Sequence, residues 1–368
     1  MSAKQATQHR LERLRASLEQ EGCDAVIIRH TSDLRWVTAF EGVFDEEEAH
    51  AALVTPQAAL LHSDSRYDKA LAARAQGTEW EVSGEPVGHA RWLAARLGDL
   101  RVKRVAIEDD VALNEYRAWA AAFEDLGVEL VETHDLVRTL RAVKDADEIE
   151  CLRAAQEITD AAFTHMCEWL HVGVTEREAG FELDTFLRRH GQGLAFPCIC
   201  ATGENSANPH HIPDDTAARE GDFFLMDFGG RVRDYDADMT RTVVFGTPSA
   251  QQREIYDIVA RTNEACEAAI KPGVPGKDIH NLAQRLLDEA GYGAYFGHGL
   301  GHGVGIDIHE LPNEGSRSEN LLRVGSVVTV EPGIYLPGVG GVRTEDYGVV
   351  TEDGFSVFTK ASHDLVQL

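Results

Sequence analysis

An apolar run, Phe223-Phe-Leu-Met226, leads without a break into Asp227. A carboxylate at the end of a buried strand needs a partner, because moving an unpaired charge out of water is costly. After Gly229 and Gly230 the chain passes Arg231-Val-Arg-Asp234 and returns as Tyr235-Asp-Ala-Asp-Met-Thr-Arg-Thr-Val-Val-Phe245, rich in β-branched residues. A hairpin turning between Val232 and Arg233 sets Asp227 opposite Asp238. Like charges facing each other, with Cβ atoms about 4.5–5.5 Å apart, destabilise a sheet. Such a hairpin calls for a positive group between its strands. The plainer alternative is that one aspartate points to water or pairs with Arg231 or Arg241.

A second hairpin repeats the pattern. Val327-Val-Thr-Val330 runs into Glu331, and Gly341-Val-Arg-Thr344 runs into Glu345 and on to Gly348-Val-Val350. The segment between, Leu336-Pro-Gly-Val-Gly-Gly341, is dense in turn residues. Pairing about Gly338 sets Glu331 opposite Glu345. Two hairpins that each present two facing acids are hard to read as chance surface charge. Histidines cluster in Gly297-His298-Gly-Leu-Gly-His302-Gly-Val-Gly-Ile-Asp-Ile-His309-Glu310, where interleaved glycines let the backbone approach a bound group closely. Imidazole beside hard carboxylate oxygens suits manganese, cobalt, iron or zinc, whereas an all-oxygen site suits magnesium or calcium. His298 reads first as a hydrogen-bonded structural residue of the glycine-rich loop. The Pro-bounded segment Asn208-Pro-His210-His211-Ile-Pro213 offers a further imidazole to the same site.

The rest of the chain limits the classes of function. Its 368 residues are enough for two or three domains, and Lys plus Arg number 35 against 62 Asp plus Glu, a net charge of −27 shared by both halves. Phosphate backbones and anionic membrane surfaces are bound largely by Lys and Arg, so neither is an expected partner. No apolar run approaches the length of a membrane span, and Met1 to Glu21 is polar with a helical pattern and no signal-like core. Cys23, Cys151, Cys167, Cys198, Cys200 and Cys266 are scattered without a CxxC pair and read as small buried hydrophobes in a reducing cytoplasm. Residues 9–20, 87–97 and 113–126 read as helices and 24–29, 51–61 and 128–132 as strands, an α/β alternation with no phosphate loop or Cys/His cluster. From Leu136 a segment leads into a long helix through Leu170, with Asp145 or Asp147 as its N-cap. The domain boundary falls near residue 140, giving an N-terminal domain over 1–139 and a second over 140–368. No internal repeat of short period is apparent.

Taken in order, these motifs resemble the pita-bread metallopeptidases. Asp227 is followed by Asp238 in Asp-x-Thr-Arg-Thr, then by His302 in Gly-His-Gly-x-Gly-x-x-x-His-Glu, Glu331 in Glu-Pro-Gly-Ile-Tyr, and Glu345 in Val-Arg-Thr-Glu-Asp. Ala195-Phe196-Pro, Gly203-Glu-Asn-Ser-Ala-Asn-Pro-His210, Gly221-Asp222 and the Leu-Arg-Ala-Val-Lys144 linker are similar to the proline-peptidase branch, prolidase and aminopeptidase P. The resemblance covers roughly residues 140–368. It implies an α/β N-terminal domain followed by an α+β pita-bread catalytic domain of the creatinase/aminopeptidase-like kind, and an Xaa-Pro peptidase with two divalent transition-metal ions, manganese foremost.

In that scheme Asp238 and Glu345 bridge the ions, Asp227 chelates one, and His302 with Glu331 completes the other. About four negative charges meet about four positive ones, and a water at such a pair is acidified into a nucleophile. The resemblance gives Glu331 the role of proton acceptor and His210 and His309 that of contacts to the substrate carbonyl and its oxyanion. His298, Arg343 and Phe196 are candidate substrate contacts. It further implies a homodimer acting on proline-containing di- or oligopeptides. Two positions depart from the pattern. Asn313 stands where some prolidases carry an arginine for the substrate carboxylate, which leaves Arg317, Arg343 or an N-terminal arginine for that task. Asp234-Tyr235 replaces the more usual Gly-Tyr. Chain length favours an Xaa-Pro dipeptidase, and Asn313 favours an aminopeptidase P releasing the first residue of longer peptides. A methionine aminopeptidase usually lacks the first domain, and creatinase or a binding protein of this fold would more naturally have lost ligands.

Overall fold

The computed structural model describes residues 3–45, 47 and 49–368; Met1 and Ser2, part of the stretch read as helical, lie outside the described residues. Contacts divide the chain into two compact units, Met1–Arg141 and Ala142–Leu368. The first is built on a six-stranded sheet in the order Trp80–Ser83, Ala59–His62, Ala51–Val54, Ala25–Ile28, Arg104–Ile107, Glu129–Glu132. Ala25–Ile28 runs antiparallel to Ala51–Val54 and parallel to Arg104–Ile107. A strand covered on both faces is apolar throughout, and all four residues Ala25, Val26, Ile27 and Ile28 are buried. Trp92 and Leu93 of the helix His89–Asp99 and Trp119 and Phe123 of Leu113–Phe123 pack with Ala25 and Ile27. Among the described residues, no helix is long and apolar enough to cross a membrane.

The helical stretch expected from Leu136 to Leu170 is divided into Leu136–Arg141 and Ala146–Trp169. Asp145 restarts it: its side chain accepts from the N–H groups of Asp147 and Glu148, while Glu148 accepts from Asp145 N, a reciprocal capping box. The second unit contains two similar helix pairs, Ala146–Trp169 with Glu176–His190 and Ala250–Ala269 with Gly276–Glu289. Between them lie a three-stranded sheet, Met239–Val244, Phe223–Phe228, Ile199–Thr202, and a five-stranded one, Glu310–Asn313, His302–Gly303, Val327–Val330, Asp346–Val350, Phe355–Val357. Phe224, Met226, Phe228 and Val243 pack on Met166, Leu183 and Leu187 of the first helix pair.

The first hairpin corrects the sequence reading by two residues. Its turn is centred on Arg233 and Asp234, at φ 52° and 66°, not between Val232 and Arg233, and Asp227 faces Thr240 rather than Asp238. The physical reason lies in the turn: two consecutive residues with positive φ match the twist of the strands, and a β-branched valine resists that conformation. Because the displacement is even, no side chain changes face. The same register continues through the Ala237 N–H to Gly230 O bond, which leaves Asp238 diagonal to Asp227 on one face. The second hairpin keeps the expected register: Val330 pairs with Asp346 in one ladder and Gly333 with Arg343 in the next. Glu331 and Glu345 stand across from each other at the step between those ladders.

Candidate metal centre

Each acid reaches the site from the end of a strand whose other residues are core. The two hairpins are stitched together by the signature Asp238-x-Thr240-Arg241-Thr242. The Thr240 hydroxyl donates to Glu345 Oε2 at 2.6 Å and accepts from Arg343 Nε at 2.9 Å, and Glu345 N donates to Thr240 O at 3.1 Å. On the neighbouring side of the strand, Arg241 Nη1 donates to Glu345 O at 2.6 Å and Nη2 to Asp346 Oδ1 at 2.6 Å and Ala361 O at 2.8 Å. Asp238 and Glu345 are buried, and their carboxyls lie well above the ordinary range. Burial is the first cause. Mutual repulsion follows, from Glu345, Asp227 and Glu331 on Asp238 and from Glu331 and Asp227 on Glu345. Burial also pushes Glu331 up to about 8.

His302 completes the cluster. Its Nδ1 lies 3.1 Å from Gly303 O, an oxygen that only accepts, so Nδ1 carries the proton and Nε2 keeps its lone pair. Nε2 is 3.5 Å from both Asp238 Oδ2 and Glu331 Oε1. Burial, with His309 beside it, lowers the imidazole to about 3, which leaves it neutral and able to ligate. Ligand atoms of Asp238, His302 and Glu345 fall within 4.8 Å of one another. Asp227 Oδ2 accepts from Arg343 Nη2 at 2.5 Å, while its buried Oδ1 has no hydrogen-bond partner. An orphaned carboxylate oxygen, a free imidazole lone pair and three crowded acids are a donor set that fits divalent cations.

Residues 150–352 match the model of metallopeptidase family M24, and residues 10–143 match the creatinase/prolidase N-terminal domain. The chain belongs to metallopeptidase family M24. Its architecture is an N-terminal creatinase-like domain followed by a pita-bread catalytic domain. A curated Xaa-Pro dipeptidase of Pyrococcus furiosus is 39% identical over 239 residues, which span 65% of this chain and 69% of that protein. The solved structure of an Xaa-Pro dipeptidase from Bacillus anthracis superposes with a TM-score of 0.92 at 35% identity, covering 98% of this chain and all of that one. That of an X-Pro aminopeptidase from Thermotoga maritima gives 0.86 at 34% identity, covering 96% of this chain and 100% of the other.

Around the acids of this M24 chain, the other sequence candidates take different places. His309 is exposed, and its ring meets that of His302 edge-on at 4.2 Å. Although the residue is exposed overall, partial desolvation of the ring by the protein packed around it lowers its pKa, with Asp227 opposing and His210 adding to the shift. His210 is exposed on the segment after Gly203–Ala207, and its charge also acts on His298. His298 bridges Gly299 O and the Tyr335 hydroxyl, at 2.7 and 2.8 Å. Tyr335 in turn accepts from Arg343 Nη1 at 2.8 Å. The Arg343 guanidinium is thus occupied by Asp227, Thr240, Tyr335 and, at 3.4 Å, Pro209 O. Phe196 is half-buried, next to Ala195, whose N–H donates to Gly229 O at 2.8 Å. Sequence reasoning did not single out Thr240 or Tyr335, although each lies inside a quoted motif, and it offered Arg231 or Arg241 as partner to an aspartate of the first hairpin pair, whereas Arg231 pairs with Asp236 and Arg241 with Asp346. A cleft of about 810 Å³ opens beside His298, lined among others by His280, Phe296, Asn313, Arg317 and Asn320.

Proposed function

We propose that this protein is a dinuclear metal-dependent Xaa-Pro dipeptidase. The observation that carries the reading is the convergence of Asp227, Asp238, His302, Glu331 and Glu345 with donor atoms left open, joined through His298, 4.0 Å from Glu331, to a cleft that Arg317 lines. Those five residues would hold two divalent ions, of which manganese, cobalt, iron and zinc all suit imidazole among hard oxygens and manganese is the one proposed. The ions would supply Lewis acidity and an acidified water nucleophile. Glu331 takes up the proton released on attack, while His309 and His210 hydrogen-bond the carbonyl oxygen as it gains charge. Proline has no N–H to offer a general peptidase, so the site must hold the ring and the free ends of the peptide instead. The Arg317 guanidinium, which has no ion-pair partner among the described residues, stands in the cleft as the cation for the proline carboxylate. A cytoplasmic location, with which six free cysteines are consistent, and a homodimer complete the reading.

The cleft volume favours one competing reading, because about 810 Å³ exceeds what a proline residue fills. In an aminopeptidase P, residues beyond proline would occupy it. Comparing kcat/KM for Ala-Pro, Ala-Pro-Ala and a longer Xaa-Pro peptide decides between them. The dipeptide is expected to be the best substrate; a tripeptide cleaved equally well rejects the dipeptidase.

A further inference from the structure

Glu176 opens the helix Glu176–His190 and is completely buried. The helix does not need it as a cap, because Thr175 and Glu178 already form a reciprocal capping box there. Its carboxylate instead faces away along the chain that carries His210. Oε1 accepts from Thr202 N at 2.8 Å and from Asn205 Nδ2 at 3.0 Å. Oε2 accepts from Asp214 N at 3.1 Å and lies 2.6 Å from His211 Nε2. Glu176, His211 and Asp214 have the spacing of a metal-binding group, yet both Glu176 oxygens are already engaged by donors, so the group is closed by its own hydrogen bonds.

The second helix pair provides an internal control. Thr175 bridges to Ala217 and Pro275 to Leu321; Glu176 N donates to Thr216 O and Gly276 N to Asn320 O; Arg177 N donates to Asp214 O and Lys277 N to Ser318 O. The same turn is therefore made with glycine at the position of Glu176, where a Cβ would meet Asn313 O at 2.3 Å. A buried glutamate is not required for the turn. What the first pair has and the second lacks is the segment with His210. That segment is held from the other side as well: Ser206 Oγ accepts from Gly341 N at 2.8 Å, and Pro209 O accepts from Arg343 Nη1. His210 thus sits between Pro209, tied to the metal-bearing hairpin, and His211, tied to Glu176, while its own ring is exposed.

We propose that Glu176 is a positioning residue for hydrolysis, holding residues 203–214 through His211 and the Asp214 amide so that His210 is presented to the substrate. The inference rests on the role given to His210 above. The test uses the metal-loaded full chain with His211→Phe and Glu176→Gln, each alone and combined with His210→Ala. Expected is a fall in kcat/KM on Ala-Pro of about ten- to a hundredfold, the scale of a small misplacement of a catalytic group, with metal content unchanged. In the His210→Ala background neither change should cost anything further, a non-additivity that general destabilisation would not produce. Amide exchange over residues 203–214 should accelerate in both variants. Additive losses overturn the proposal, as does a His211→Phe protein with wild-type activity and exchange. If the wild-type protein fails to cleave Xaa-Pro, the dipeptidase reading falls and the positioning role of Glu176 in hydrolysis with it; unchanged exchange would then also remove its structural basis.

Discussion

Asp238 and Glu345 are buried among acids whose charges act on both, so whatever neutralises one bears on the other. Replacing either by alanine is expected to abolish hydrolysis and the stoichiometric binding of both ions; metal analysis alongside Xaa-Pro hydrolysis checks this, and a fully active variant, or activity after exhaustive chelation, would reject the centre. His309 belongs to a different class. It meets His302 by ring contact and is exposed, so His309→Ala should retain metal while kcat falls by about 100-fold, the scale for a lost oxyanion donor. Loss of metal in that variant would place it among the ligands. The sequence marked Asp227 and Glu331 because each ends an apolar run and His302 because it interrupts a glycine-rich one, whereas Asp238 and Glu345 stood out only as the acids placed opposite them by the hairpins. The role of Thr240 and the true partner of Arg241 were not legible, because their contacts are with Glu345 and Asp346 on the other hairpin, and nothing local marks a threonine that orients a distant carboxylate. Arg343 was legible as a functional cation, but its engagement with Asp227, Tyr335 and Thr240 depends on the crossing of strands.

At the scale of elements, the hairpin of Asp227 shows what pattern reading captures and where it slips. Strand content and the facing of the two acids follow from alternation and β-branching, which survive an even displacement. The turn centre does not, since Val232-Arg233 and Arg233-Asp234 differ only in which residue takes positive φ. The strands Trp80–Ser83 and Arg104–Ile107 were not read from the sequence, whereas Ala25–Ile28 and Glu129–Glu132, of the same length, were. The register has its own safeguard at Gly229, where a Cβ would lie 1.6 Å from Ala237 O. Gly229→Ala therefore forces the strands apart between the two aspartates. Its expected effect is loss of metal binding together with a lowered Tm, read by metal analysis and thermal unfolding; full metal content at wild-type Tm would show that the close approach does not set the site.

For the whole molecule, the acidic composition and the metal centre meet in the dependence of stability on pH. Without ions, Asp238 and Glu345 hold their protons well above the usual range and Glu331 up to about 8. A carboxyl whose folded pKa is raised binds more protons folded than unfolded, so its contribution is complete below the unfolded value near 4.5 and declines as pH rises through the folded one. The metal-free protein should therefore lose stability from about pH 5 to pH 8 on account of these three groups. Divalent ions take over from protons in that range, since they bind the folded chain and need deprotonated ligands. At low pH, protons already relieve the crowding and compete with the ions. Other titrations pull the opposite way: the Arg241 guanidinium and His363 hold Asp346 near 2 against its burial, a contribution kept above the unfolded pKa and lost only in strong acid. Asp346 stays ionised across this range in either form, so the difference between loaded and chelated protein between pH 5 and pH 8 reports mainly the metal ligands. The gain in Tm on reloading chelated protein with manganese is expected to be small at pH 5 and several degrees larger at pH 8. Thermal unfolding of both forms at the two pH values measures it, and a gain that is constant or greater at pH 5 would mean that the acids of the two hairpins are not what the ions neutralise.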